Sequence, residues 1–226
     1  LINSNPNIRI QATLDGSNTL FLPDLNETYH SLNGALSESK HVYIQNGLHL
    51  IKTNPIHILE IGFGTGLNAL LTMQHNSQKS ILYSSIEPFP LEVELLNDYY
   101  SGFKLTPIDT THLKSLCKAS SDYTSINEYF QFRLFNETIQ NLHLKEIFQT
   151  NKVNLVYYDA FAPSRQAEMW DSQIFEKLYE VMDTNAILTT YCAQGQFKRT
   201  LKSIGFELHH PTGANGKREM TTAIKI

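Results

Sequence analysis

Apolar and polar positions change rhythm near residue 55. Before that point the chain shows short apolar runs separated by turn residues. Thr13-Leu14-Asp15-Gly16-Ser17 reads as a turn. Val42-Tyr43-Ile44-Gln45 and Leu48-His49-Leu50-Ile51 flank Asn46-Gly47, a strong two-residue hairpin signal. Residues 29–38 read as a short helix. The first 54 residues are therefore expected to form a β-rich N-terminal extension.

From Pro55 onward strands and helices alternate. Apolar strands are expected at Ile56–Ile61, Ile81–Ile86, Phe130–Phe135, Val153–Tyr158 and 186–191, with late, partly antiparallel strands at 206–208 and 221–226. Helical periodicity falls between them: Leu67–His75, 91–100, 111–119, a helix capped by Asp171, and 196–204, stopped by Gly205. The pattern predicts an α/β, Rossmann-like fold over 55–226, with a mostly parallel seven-stranded sheet and helices on both faces. Ligands of such sheets bind beyond the carboxyl ends of the strands, and the polar residues of interest all follow strand ends.

Composition narrows the class. Of 226 residues, 41% are hydrophobic and 18% charged, which describes a soluble globule long enough to bury a core without staples. No apolar run approaches the roughly 20 residues of a membrane span. Leu1 to Pro6 has neither the basic flank nor the apolar stretch of a leader, and Cys117 and Cys192 read as free thiols. A cytoplasmic location is expected. His30, His41, His57, His209 and His210 have no ligand spacing, so no metal is expected. The net charge of -4 confines any nucleic-acid contact to a local patch. The last 30 residues supply one: six Lys and Arg, including Lys198, Arg199, Lys217 and Arg218, against Glu207 and Glu219.

Glu60-Ile61-Gly62-Phe63-Gly64-Thr65-Gly66 follows the first strand of the alternating region. A dinucleotide fingerprint would place its third glycine at position 67, which is Leu67. Gly-x-Gly-x-Gly preceded by Glu60 instead resembles the first motif of class I methyltransferases, which implies S-adenosyl-L-methionine as cofactor, held by Glu60, Gly62, Gly64, Thr65, Gly66 and Asn68. Glu87 ends the second strand, where a carboxylate can accept from ribose hydroxyls. Asn136 and Glu137 follow the third, at the usual place of an adenine contact. Asp159-Ala160-Phe161-Ala162-Pro163 ends the fourth. An amine must be neutral to attack and sheds a proton afterwards, and Asp159 suits the acceptor of that proton. Phe161 and Pro163 can wall the pocket.

The run Asp159 to Pro163 followed by Met169-Trp170, together with Gly34-Ala35, Glu38-Ser39, His41-Val42-Tyr43 and the tail Gly216-Lys217-Arg218-Glu219-Met220, resembles the methyltransferase domain of the MnmC family of tRNA-modifying enzymes, including its stand-alone MnmD-like members. The resemblance spans about Asp15 to Ala223. It implies methylation of 5-aminomethyl-(2-thio)uridine at the tRNA wobble position. Tyr29, Phe161 and Trp170 are then candidates to stack on the flipped base, and Lys198, Arg199, Lys217 and Arg218 to meet RNA. The chain ends at Ile226, short of a flavin-dependent oxidase domain, so methylation alone and no flavin are expected. Competing readings are a methyltransferase or aminopropyltransferase on a small-molecule amine, a nicotinamide-dependent oxidoreductase and a non-catalytic adapter.

Overall fold

A computed structural model describes residues 7–226; the segment on which the expectation of no leader rests lies outside the described residues. Strands β1 (Arg9–Ala12), β2 (Asn18–Leu22) and β3 (Glu27–Thr28) form an antiparallel sheet. Helix α1 (Ala35–Ser39) follows and runs on as wider π-helical turns over Lys40–Gln45. The expected hairpin around Asn46-Gly47 is therefore corrected: its first arm is helical and its second is a short 3-10 turn, Leu48–Leu50. Val42, Tyr43 and Ile44 are all buried, a run that no half-exposed strand provides. Asn46 ends the helix by donating from its backbone and its side chain to the His41 carbonyl. Gly47 is needed because a Cβ there would lie 2.4 Å from the Tyr43 oxygen. Asn-Gly serves helix ends as readily as hairpins.

The large sheet contains β4 (Ile56–Ile61), β5 (Ile81–Ile86), β6 (Thr124–Asn127), β7 (Phe130–Phe135), β8 (Val153–Tyr158), β9 (Met182–Thr190), β10 (Phe206–His209) and β11 (Thr221–Lys225). Its order is β10-β11-β9-β8-β4-β5-β7-β6. The five central strands are parallel, while β11, β10 and β6 pair antiparallel. Among the described residues the sheet thus has eight strands, one more than expected. The addition, β6, lies at the edge and is mostly polar, so it gives no apolar run. Helices α2 (Leu67–His75), α3 (Val93–Tyr100), α4 (Pro107–Leu116), α5 (Leu144–Ile147), α6 (Ser172–Val181) and α7 (Gly195–Ile204) connect the strands. Helix α4 starts four residues earlier than its apolar rhythm predicts. Thr106 and Asp109 form a reciprocal capping box there, with Pro107 in the first turn.

Two apolar clusters line the two faces of the sheet. One joins Ile58, Tyr83, Phe132 and Tyr157 to Leu20, Val42 and Tyr43, so the N-terminal segment shares a core with the sheet. The other joins Leu59, Val156 and Leu188 to Phe175 of α6 and Phe197 of α7. Burying a side chain of this size contributes about 1.5–3 kcal/mol, which fixes the strand ends that carry the site. Among the described residues no helix is long and apolar enough to cross a membrane.

Candidate active site

The carboxyl ends of β4, β5 and β8 open onto one cavity of about 500 Å³. Gly62, Gly64 and Gly66 all have positive φ, which lets the chain leave β4 and turn at once into α2. Gly62 is also a close approach: a Cβ there would stand 2.6 Å from the Asp159 carbonyl. Gly66 caps α2 without a side chain, so the first-turn N–H groups of that helix stay available to a ligand. Glu87, after β5, accepts from the Gly64 N–H at 3.0 Å and, through its other oxygen, from the Phe89 N–H at 3.0 Å. Burial raises its pKa, and those two donors oppose the shift. Each oxygen keeps a lone pair.

Asp159 follows β8 and borders the cavity. Its Oδ2 accepts from Asn68 Nδ2 at 2.8 Å. Burial lifts its pKa to about 6, against the lowering influence of the Tyr43 hydroxyl and the Asn68 amide. The opposite wall comes from the N-terminal segment and the tail. Tyr29 lies over the glycine loop and meets Phe161 edge-on, with ring centroids 5.3 Å apart. Glu38 of α1 pairs with Lys217 at 2.5 Å and accepts from the Ser31 N–H at 2.9 Å. The Lys217 ammonium lies 5.3 Å from the Tyr191 ring, and the Tyr191 hydroxyl donates to the Ala160 carbonyl. Around this pair the two chain regions are tied together: Ser37 to Asn215, Asn215 to the Gly34 carbonyl, and His41 to the Thr212 carbonyl. Glu27, Glu38, Glu87, Asp159 and Glu168 all line the cavity; among the described residues the lining has one lysine, Lys217, and no arginine. Such a lining favours cationic ligands.

Gly62, Gly64, Thr65, Asn68, Glu87, Asp159, Tyr29, Phe161 and Lys217 thus converge on the cavity. Other expected residues do not line it. Glu60 is buried behind the loop, bonded to Asn68 and Ser85, and burial lifts its pKa to about 8. Gly66 shapes the loop from outside the lining. Asn136 and Glu137 are exposed, and Glu137 bonds to Thr138 and Asn141. The wall after β7 is made by Thr138, Ile139 and Gln140 instead. Pro163 is outside the lining. Trp170 donates to the Phe161 carbonyl and packs edge-on against Phe197 and Tyr158, so it props the loop rather than offering a free face. Lys198 is paired with Glu219 at 2.8 Å, Arg199 with Gln196, and Arg218 is exposed. Glu38, Tyr191 and the neighbours of Tyr29, namely Glu27, Thr28, His30 and Ser31, are cavity residues that sequence reasoning did not assign to the site. Glu38, a charge on an otherwise buried helix face, was the readable hint.

Residues 114–226 match the profile of a family described as S-adenosyl-L-methionine-dependent methyltransferase. The chain belongs to this methyltransferase family. The tRNA 5-methylaminomethyl-2-thiouridine biosynthesis bifunctional protein MnmC of Leptospira interrogans is 33% identical over 211 residues, covering 86% of this chain and 32% of that protein. Its namesake in Campylobacter hominis is 29% identical over 215 residues, covering 90% of this chain and 31% of that protein. This methyltransferase therefore spans about a third of the length of these relatives. The crystal structure of MNMC2 from Aquifex aeolicus superposes with a TM-score of 0.74 at 22% identity, over 97% of this chain and 72% of that one. Human methyltransferase-like protein 13 in complex with SAH superposes with a TM-score of 0.55 at 12% identity, over 84% and 82%. The Rossmann-like methyltransferase architecture expected from the strand pattern is thereby shown.

Proposed function

We propose that this methyltransferase transfers a methyl group from S-adenosyl-L-methionine to the amine of 5-aminomethyl-(2-thio)uridine at the tRNA wobble position, giving 5-methylaminomethyl-(2-thio)uridine. The observation that carries the chemistry is Asp159: a carboxylate at a strand end, bordering an acidic cavity and pinned by a neighbouring amide. The positive-φ loop, the close approach at Gly62 and the side-chain-free start of α2 fit the donor, which Gly62, Gly64, Thr65 and Glu87 would hold. Bound there, S-adenosyl-L-methionine supplies an electrophilic methyl carried on a cationic sulfonium.

Asp159 then acts on the acceptor. With a pKa of about 6 it is mostly ionised at pH 7, so it accepts a hydrogen bond from the amine, aims the lone pair and takes the proton released after attack. Tyr29 and Phe161 flank the entry with aromatic surface able to hold a planar base turned out of its loop. Lys217, paired with Glu38, brings an ammonium to the same cavity. Outside the cavity the exposed Arg199 and Arg218 offer charge for phosphates. The tRNA assignment rests on the names of the relatives and on the sequence runs shared with that family.

The test is methyl transfer from labelled S-adenosyl-L-methionine to tRNA bearing 5-aminomethyl-uridines, with nucleoside analysis. Label in 5-methylaminomethyl-uridine supports the proposal. Transfer only to free amines would move the acceptor to small molecules while leaving the role of Asp159 intact.

A further inference from the structure

Asn68 stands second in α2, directly after the glycine loop, a position suited to touching cofactor. Its side chain is occupied otherwise. Nδ2 donates to Asp159 Oδ2 at 2.8 Å and to Glu60 Oε1 at 3.1 Å, so the two amide hydrogens serve two carboxyl groups. The other amide atom, Oδ1, is buried without a partner. The reverse orientation of the amide would aim an oxygen at both carboxyl groups, so the two acceptors fix which way it points. Behind it, Ser85 donates to Glu60 Oε2 at 2.8 Å, which anchors Glu60 from the next strand. Glu60 is fully buried and stays outside the cavity lining. A buried orphan oxygen is unfavourable for folding. What this arrangement secures is the orientation of Asp159.

We infer that Glu60 and Asn68 are positioning residues for Asp159: Glu60 fixes the amide of Asn68, and Asn68 holds one oxygen of the Asp159 carboxylate so that its remaining lone pairs meet the acceptor amine. The inference rests on the role of Asp159 proposed above. It takes Asn68 and Glu60 out of direct cofactor binding, where the glycine-loop motif alone would put them. Other groups around Asp159 are Tyr43 and Glu38 from the α1 region, Lys217 from the tail and Tyr191 after β9. Of these the Tyr43 hydroxyl also favours the ionised carboxylate, while donating to the Tyr158 carbonyl at 3.4 Å.

Two readouts test it in the full chain. Steady-state kinetics of Asn68→Ala should show kcat lowered by about 10- to 100-fold, while the calorimetric Kd for S-adenosyl-L-methionine stays within about threefold of wild type. Carbon-13 carboxyl titration of the cofactor-free protein should show Asp159 releasing its proton at higher pH in Asn68→Ala, since a donor to the ionised form is gone. An unmoved titration, or a weakened Kd with kcat intact, would overturn the inference. Should Asn68→Ala fail to fold, the Glu60 variants decide: Glu60→Gln keeps an acceptor for Nδ2 and should retain several-fold more turnover than Glu60→Ala, and equal losses would refute the anchoring role. If wild type transfers no methyl to the tRNA, the substrate proposal fails on its own, and the carboxyl titration still decides this one.

Discussion

Replacing Glu60 with glutamine should stabilise the protein at neutral and alkaline pH. Burial moves the Glu60 pKa from an ordinary 4.5 to about 8, with hydrogen bonds from Ser85 and Asn68 only partly offsetting it. The folded state therefore holds the proton up to about pH 8, whereas the unfolded chain releases it near 4.5. Folding takes up a proton across that window, so this site makes wild-type stability fall as pH rises through it. Each pK unit corresponds to about 1.4 kcal/mol, which gives up to about 3 kcal/mol at pH 7. Glutamine keeps the shape and the acceptor for Asn68 without the proton. Its advantage over wild type should be near zero at pH 4.5 and grow to about 1–3 kcal/mol at pH 7–8, a rise in Tm of several degrees for a chain of this size. Differential scanning calorimetry across pH 4.5–8.5 measures it directly. A pH-independent difference, or a destabilised variant at pH 8, would refute the account of Glu60 as a carboxyl kept protonated by burial.

Three other outcomes are expected. Asp159→Ala should lower turnover by about 100-fold or more with little change in cofactor affinity, and wild-type turnover should fall away below about pH 6 as Asp159 protonates; a flat acid limb would remove the base from the mechanism. Glu87→Ala should weaken S-adenosyl-L-methionine binding by about 1–3 kcal/mol, because the Gly64 and Phe89 N–H groups lose their acceptor along with any ligand hydroxyl; an unchanged Kd in calorimetric titration would refute a part for Glu87 in the cofactor site. Reversing the exposed Arg199 and Arg218 together should raise the tRNA KM and reduce its dependence on salt, and unchanged kinetics would move the RNA surface elsewhere.

The central strands β4, β5 and β8 were legible as largely apolar runs, as buried parallel strands must be, while β7 was legible as an alternation, with Phe130, Phe132 and Leu134 buried and Gln131 exposed. Asp159 and Glu87 were legible for a related reason: strand ends of such a sheet deliver their polar residues to one crevice. The helical course of Lys40–Gln45 was not, because an apolar run ending in Asn-Gly fits a strand and a capped helix equally until its tertiary neighbours are known. The role of Glu60 was equally out of reach. Its place in the motif was plain, but only packing shows that its oxygens meet Ser85 and Asn68 rather than the cavity. Glu38 reaches the site through a contact with Lys217, 179 residues away, which local periodicity cannot register, and Tyr191 through its bond to Ala160 on the loop after the neighbouring strand. The start of α4 was readable, since Thr106-Pro107 with Asp109 is a helix-start signature that the apolar rhythm overshadowed.

The knot of bonds joining Gly34, Ser37 and Glu38 to Asn215 and Lys217 spans 178 to 181 positions of sequence. Closing so large a loop gains nothing until both partners exist, and its entropic cost grows only slowly with length. On the ribosome the central sheet has nearly all its strands before residue 212 is made, whereas the cavity wall that joins Glu38 to Lys217 waits for residues 212–217. The glycine loop can therefore be in place in a chain that still lacks the closed chamber around Asp159, and the chemistry proposed for that chamber waits until Asn215 and Lys217 have been added and have met α1.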